Sequence, residues 1–317
     1  MTIGKRALSP HVGMEITGVD LSKPINEATQ QEIRDAWVES GVLLFRSKSS
    51  EDAHLRLSRV FGELEPGATV GLNSEENPYL MKLEHNPDAI DERFAMQFEV
   101  DGIARVGFIG WHWDQSFMPT IVRGACLRMV TPARVLGQTG FIDARAAYDR
   151  LPGRLKERID SLEVVYKFTL KMDEHKFGMP MLRELPREMR PGTPKAKTDY
   201  PESVHPLVIT QKETGRKILK LSPVHSKYIL GMDRTESDAL LSEIADILTD
   251  MRYSYFHDWQ EDDMIVWDNW RVCHATQGVP IDVPRLAMRT TIKGDYNVGR
   301  YLDPALDRER EVVRFMD

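Results

Sequence analysis

Four short apolar runs set the terms of this fold: Val42-Leu43-Leu44-Phe45, Gly124 to Val130, Met264-Ile265-Val266-Trp267 and Leu286 to Ile292. Each has the length and content of a buried strand. A few stretches between them have helical spacing. From Asn26 to Ser40, the residues Ile33, Ala36, Trp37 and Ser40 share one face, and Gly41 follows where a helix end favours glycine. Glu51 to Phe61 predicts a second helix closed by Gly62, and another runs through Ala144, Ala147, Tyr148 and Leu151. Thr235 is placed to cap a helix striped by Leu240, Leu241, Ile244, Ile247 and Leu248. The region from about Pro66 to Gly110 reads mostly as loop. Pro180, Pro186, Pro191, Pro194 and Pro201 punctuate a charged stretch at 171–204, which reads as a lid or insert, or else as a surface excursion. No repeat or linker divides the chain. The expectation is one strand-rich domain over 1–317, closed as a sandwich or jelly roll with helices outside.

Composition supports a packed core and narrows the partners. The chain is 41% hydrophobic and 29% charged, the balance of a globular protein. A net charge of −7 without a basic block excludes nucleic acid as the main partner. The two cysteines, Cys126 and Cys273, are far apart, which excludes a disulfide scaffold and a cysteine zinc site. No apolar run reaches membrane-span length, and the N-terminus lacks a signal-peptide core, so a cytoplasmic soluble protein is expected.

The chemistry concentrates in Trp111-His112-Trp113-Asp114. Phosphate-loop, GxSxG, HExxH and GxGxxG signatures are absent. His and Asp two apart on a strand share a face, giving two legs of the 2-His-1-carboxylate triad that suits Fe(II). Alone the motif is weak, since roughly one such spacing is expected by chance in a chain with nine histidines. Its context is stronger. His274 follows the strand ending Asp268-Asn269 and offers a third ligand, and Arg285 and Arg289, four apart, face one side of the next strand. An inward arginine is costly unless it meets an anion. A cosubstrate that chelates iron at one end and carries a carboxylate at the other fits both features, and 2-oxoglutarate does so.

In the blocks GMEITGVDLSKPI, GVLLFR, HLRLSRVFGELEP, WHWDQSFMP, GQTGFIDARAAYDRLP, VHPLVITQKETGRK, ILGM, VWDNWRVCHATQ and RLAMRTTIKGD, the chain resembles the TauD/TfdA family of Fe(II)- and 2-oxoglutarate-dependent dioxygenases, over nearly its whole length. The resemblance implies a mainly β double-stranded β-helix (a cupin-like jelly roll) with flanking helices. It implies iron at His112, Asp114 and His274, the distal 2-oxoglutarate carboxylate at Thr139 and Arg285, and Trp267 near the cosubstrate. It also implies O2 as oxidant, succinate and CO2 as co-products, and a substrate anion at Arg289. Three departures point to a substrate other than taurine. Phe108 stands where the taurine enzyme has an asparagine, no histidine follows Gly62-Glu63-Leu64-Glu65, and Ser222 and His225 replace an asparagine and an aromatic residue. The expected substrate is a small molecule, anionic at Arg289 and partly apolar along Phe108 and His225. Homo-oligomerisation is left open.

Rival readings are a zinc-dependent jelly-roll hydrolase or isomerase on the same ligands, and a non-catalytic binding protein. Plainer roles also apply to single residues. Trp113 and Cys273 suit core positions, and Arg289 has an internal alternative in a carboxylate such as Asp143. His11, His54, His85, His175, His205 and His257 read as structural or surface histidines, and Glu261-Asp262-Asp263 as a solvated turn. Arg123 and Arg128 have no role assigned.

Overall fold

The computed structural model describes residues 3–67, 73–74, 76–88, 97–169, 174–178, 180, 182–185 and 200–307. Two facing sheets form its centre. The eight-stranded sheet runs Gly4–Ala7, Met14–Thr17, Val42–Arg46, Asp263–Asp268, Gly124–Thr131, Arg285–Ile292, Leu64–Glu65, with Met81–His85 also paired to Arg285–Ile292. The six-stranded sheet runs Leu182–Glu184, Gln97–Val100, Ile103–His112, Val272–Pro280, Thr139–Asp143, Tyr255–His257. Spatial neighbours come from distant parts of the chain and pair antiparallel, except for the parallel contact of Met14–Thr17 with Val42–Arg46. This is a double-stranded β-helix, the jelly roll.

Strand alternation sorts the side chains into layers. Val42, Leu44, Phe141, Ile265, Trp267 and Ala287 meet between the two sheets. Leu43, Phe45, Met264 and Val266 point the other way and pack on Ile33, Ala36, Trp37 and Leu57 of the helices Glu27–Ser40 and Glu51–Arg59. On the far side of the six-stranded sheet, Trp111, Ile142, Cys273 and Ala275 pack on Ala147, Leu241 and Ile244 of the helices Ala144–Arg150 and Arg234–Leu248. Each fully buried aliphatic or aromatic side chain contributes on the order of 2 kcal/mol. The alternation also places the site: with Trp111 and Cys273 turned outward, His112 and His274 turn inward.

Local signals explain the helices. Asn26 caps Glu27–Ser40 by accepting from the Thr29 N–H, and Gly41, at φ 75, ends it by donating to the Trp37 carbonyl at 2.7 Å. A Cβ at Gly41 would meet Val272 Cγ2 at 2.9 Å. The cap of Arg234–Leu248 is Asp233, not Thr235, because the Asp233 carboxylate reaches the N–H groups of both Thr235 and Glu236.

The stretch expected to be mostly loop carries three strands, Met81–His85, Gln97–Val100 and Ile103–His112. The longest is interrupted in sequence by Gly107 at φ 70, and its partner strand by Gly278 at φ 67, where a Cβ would lie 2.8 Å from the Val106 carbonyl oxygen. Those breaks mask the alternation. Asp263, expected in a solvated turn, is buried and held by Arg46 at 2.9 and 3.0 Å and by His257 at 3.0 Å. Within 171–204, Leu182–Glu184 pairs with Gln97–Val100, and Ser203–Pro206 joins a four-stranded sheet with Ser226–Ile229, Glu163–Tyr166 and Arg300–Tyr301. Residues 171–173, 179, 181 and 186–199 of the expected lid lie outside the described residues. No described helix is long and apolar enough to cross a membrane.

Candidate active site

His112 and His274 are register partners on adjacent strands, with ring centroids 4.2 Å apart. Asp114 Oδ1 lies 3.8 Å from His112 Nε2 and 3.7 Å from His274 Nε2. All three side chains offer a ligand atom within 4.8 Å of one another, the one such group of three among the described residues. Nδ1–H of His112 donates to the Gly110 carbonyl at 2.8 Å, which fixes the tautomer and leaves Nε2 as a donor atom for a metal. Burial lowers the pKa of both imidazoles and keeps them neutral. Burial, the largest effect, opposes ionisation of Asp114, but the Arg289 guanidinium together with the His274, His112 and His225 rings outweighs it and holds the carboxyl at about 2. Two neutral imidazoles and one carboxylate fit Fe(II).

Strand alternation does not aim Asp114. The strand ends at His112, and Asp114 sits in the following turn. Asn269 sets its direction instead, accepting from the Asp114 N–H at 2.7 Å and donating to its carbonyl at 3.1 Å.

Across the sandwich, Arg285 and Arg289 share the strand Arg285–Ile292. No described residue hydrogen-bonds or ion-pairs the Arg285 guanidinium, and burial alone acts on it, pushing its pKa down to about 10. Arg289 differs: its Nη2 lies 2.6 Å from Asp114 Oδ2. It does not pair with Asp143, whose carboxylate is bound at 2.6 and 2.9 Å by Arg271. Trp267 joins the two sides, with its ring 5.0 Å from that of His274 and 5.5 Å from the Arg289 guanidinium, and its buried indole N–H lacks a partner. Thr139 is buried, and its hydroxyl accepts from the Trp259 indole at 3.1 Å.

A third wall is aromatic. His225 stands edge-on to His112 at 6.0 Å and stacks on Phe168 at 6.0 Å, with Phe117 at 5.4 Å and Tyr200 beside both phenylalanines. Burial pushes its pKa well below the usual range, so the ring is neutral. Its Nδ1 shares hydrogen bonds with the Ser116 hydroxyl at 2.7 Å and the Ser222 hydroxyl at 3.3 Å. Phe108 packs on Phe98 at 6.4 Å.

Other residues fall outside the centre. Trp113 and Cys273 are buried on the helix side, and burial raises the Cys273 thiol to about 12. Arg123 binds Asp268 and Glu213 between the Trp37 and Trp270 rings, and Arg128 binds Ser49 and Asp262. His54, His205 and His257 are buried with structural partners. Sequence reasoning missed Asn269, Trp259 and Ser116. Asn269, five residues before His274, carried a usable positional signal, whereas Trp259 and Ser116 reach their partners only through folding.

Comparison with known proteins gives the family. Residues 5–291 match the model of the family described as "Taurine catabolism dioxygenase TauD, TfdA family". The chain is 29% identical to an (S)-phenoxypropionate/alpha-ketoglutarate-dioxygenase of Sphingobium herbicidovorans, over 89% of this chain and 92% of the relative. It is 27% identical to the alpha-ketoglutarate-dependent 2,4-dichlorophenoxyacetate dioxygenase of Cupriavidus pinatubonensis, over 93% and 99%. A solved taurine dioxygenase from Burkholderia xenovorans superposes with a TM-score of 0.72 at 25% identity, covering 93% of this chain and 90% of that one.

Proposed function

Because the chain belongs to the TauD/TfdA family of 2-oxoglutarate-dependent dioxygenases, we propose that it holds Fe(II) at His112, Asp114 and His274 and hydroxylates a small organic acid with a partly apolar body. The observation that carries this reading is the triad on one sheet together with Arg285 on the facing sheet, whose buried guanidinium has no partner among the described residues. Fe(II) bound there would supply the O2 chemistry coupled to decarboxylation of 2-oxoglutarate to succinate and CO2.

The protein's own groups bind, orient and exclude water. Arg285 offers a two-pronged donor to the distal carboxylate of 2-oxoglutarate. Thr139, which accepts from Trp259, keeps its own hydroxyl proton to donate to that carboxylate. Trp267 lines the cosubstrate side. Arg289 faces the substrate's acidic group, and neutral His225 presents its ring to the substrate. Phe117 and Phe168 supply an apolar wall beside His225, and Phe108 is a further apolar side chain offered to the substrate. A hydroxyl placed on carbon beside a heteroatom collapses and splits the molecule. The two named relatives act on phenoxypropionate and 2,4-dichlorophenoxyacetate, acids with an aryl body, which fits this wall. A zinc hydrolase on the same ligands has no use for an unpaired Arg285.

The test is succinate formation with Fe(II), 2-oxoglutarate and O2 across aryloxyalkanoates, sulfonates, sulfate esters and simple carboxylates. Substrate-dependent succinate supports the reading. Turnover that ignores 2-oxoglutarate and runs on zinc would overturn it.

A further inference from the structure

Against Trp113, the residue between His112 and Asp114, lies a lysine that the proposed reaction does not use. Lys220 is 2% exposed. Its ammonium lies 4.1 Å over the Trp113 ring and donates to the Asn269 carbonyl at 2.6 Å, and no described carboxylate forms an ion pair with it. Burial lowers its pKa to about 7, which measures how little the site compensates the charge. A buried amine of this kind is expensive unless its hydrogen bond secures something.

What it secures is Asn269, every polar group of which is bound. Its N–H donates to the Arg123 carbonyl at 3.0 Å, and its carbonyl accepts from Lys220. Its side chain accepts from the Asp114 N–H and donates to the carbonyls of Asp114 and Val122, both at 3.1 Å. Only a carboxamide matches a peptide's N–H and C=O at once, so Asn269 grips the Asp114 backbone at two points. Since Asp114 lies beyond the end of its strand, no ladder bond does this for it.

We propose that Lys220 and Asn269 form a strut that fixes the Asp114 backbone and thereby aims its carboxylate at the point His112 and His274 share. Both are positioning residues, and the strut rests on the reading of His112, Asp114 and His274 as a metal centre. Trp113, between two ligands of the proposed centre, is the buried ring over which the lysine ammonium sits.

The test uses Co(II) alone, titrated into the metal-stripped full chain, with affinity and ligand-field absorption as readouts. Wild type should bind one equivalent and Asp114→Ala should not. Lys220→Met keeps the stem's packing and loses the donor, and should weaken Co(II) about 10-fold and shift the absorption bands. Asn269→Ala should weaken it about 10- to 100-fold. The double variant should bind no more weakly than Asn269→Ala, because both changes break one strut. Ser58→Ala, which removes a remote buried hydroxyl bonded to Thr290, should leave Co(II) binding unchanged. Wild-type affinity and spectrum in Lys220→Met, or additive losses in the double variant, would overturn the strut while leaving the metal centre standing. Failure of the wild type itself to bind Co(II) would instead overturn the metal centre, and the strut with it.

Discussion

Arg289 Nη2 lies 2.6 Å from Asp114 Oδ2, while the other oxygen of that carboxylate faces the Nε2 atoms of His112 and His274. The two oxygens thus have separate duties, one ion-paired and one left for a metal. The pairing also divides the arginines. Arg285 keeps its whole charge for a ligand, whereas Arg289 has already committed one donor, and its buried Nε has no partner. A substrate anion meeting Arg289 would therefore share it with Asp114, the carboxylate proposed to bind the metal.

The consequence for substrate choice is measurable. Acids should turn over at least ~10-fold better than their neutral amides in wild type, the effect of roughly 1.4 kcal/mol, and Arg289→Ala should erase the difference. A matched series of acids and amides, assayed by succinate release, checks this. Equal rates for both in wild type would remove the anionic substrate from consideration.

Asp114→Ala should abolish turnover while leaving a cooperative melt, because Asn269 grips the backbone of residue 114 whatever its side chain. Activity and thermal unfolding, measured on one preparation, separate the two effects. Full activity would sink the triad.

For the cosubstrate, Arg285→Lys should raise the 2-oxoglutarate KM at least ~10-fold, since an ammonium cannot copy a two-pronged contact with a carboxylate. Initial rates against 2-oxoglutarate concentration give the answer. An unchanged KM would shift the role to Arg289.

Much of this was readable in the chain, and the parts that were not share a cause. Continuous apolar runs, such as Met264 to Trp267, announced strands buried on both faces, and the shared face of Arg285 and Arg289 followed from period two. The strand Ile103–His112 did not, because Gly107 resets its alternation. His112, Asp114 and His274 were legible as residue types, but the reason for the aim of Asp114 was not. It depends on Asn269, 155 residues away, and so on a contact that exists only once the sheets close. The partners of Arg289 and Asp143 were hidden for the same reason: charge tells that a partner is needed, and topology decides which.

Arg271 supplies a stability prediction. It is buried, binds both oxygens of Asp143, and donates to the Val38 and Glu39 carbonyls at 2.7 and 3.0 Å, tying off the helix Glu27–Ser40. Arg271→Met should cost about 3–5 kcal/mol by leaving the Asp143 carboxylate buried with its main partner gone. Urea unfolding at neutral pH reports it. A loss under about 1 kcal/mol would mean that Arg145, which also acts on Asp143, suffices by itself.

His54 predicts a pH dependence of folding. The ring is fully buried, Nε2–H donates to the Cys126 carbonyl at 3.1 Å, and burial lowers its pKa from 6.5 to about 4. The unfolded chain therefore takes up this proton below pH 6.5, and the folded chain only below about 4. Stability from this group is complete above 6.5, is lost as pH falls through the window down to about 4, and then levels off. The whole loss is about 3 kcal/mol, of which about 2 is gone by pH 5. His54→Gln keeps a donor for the Cys126 carbonyl and cannot titrate. Its unfolding free energy should fall less between pH 7 and 5 than that of wild type, by about 2 kcal/mol. The other buried histidines titrate alike in both proteins and cancel in the difference. Parallel curves from urea unfolding at the two pH values would show that His54 is protonated in the fold as readily as out of it.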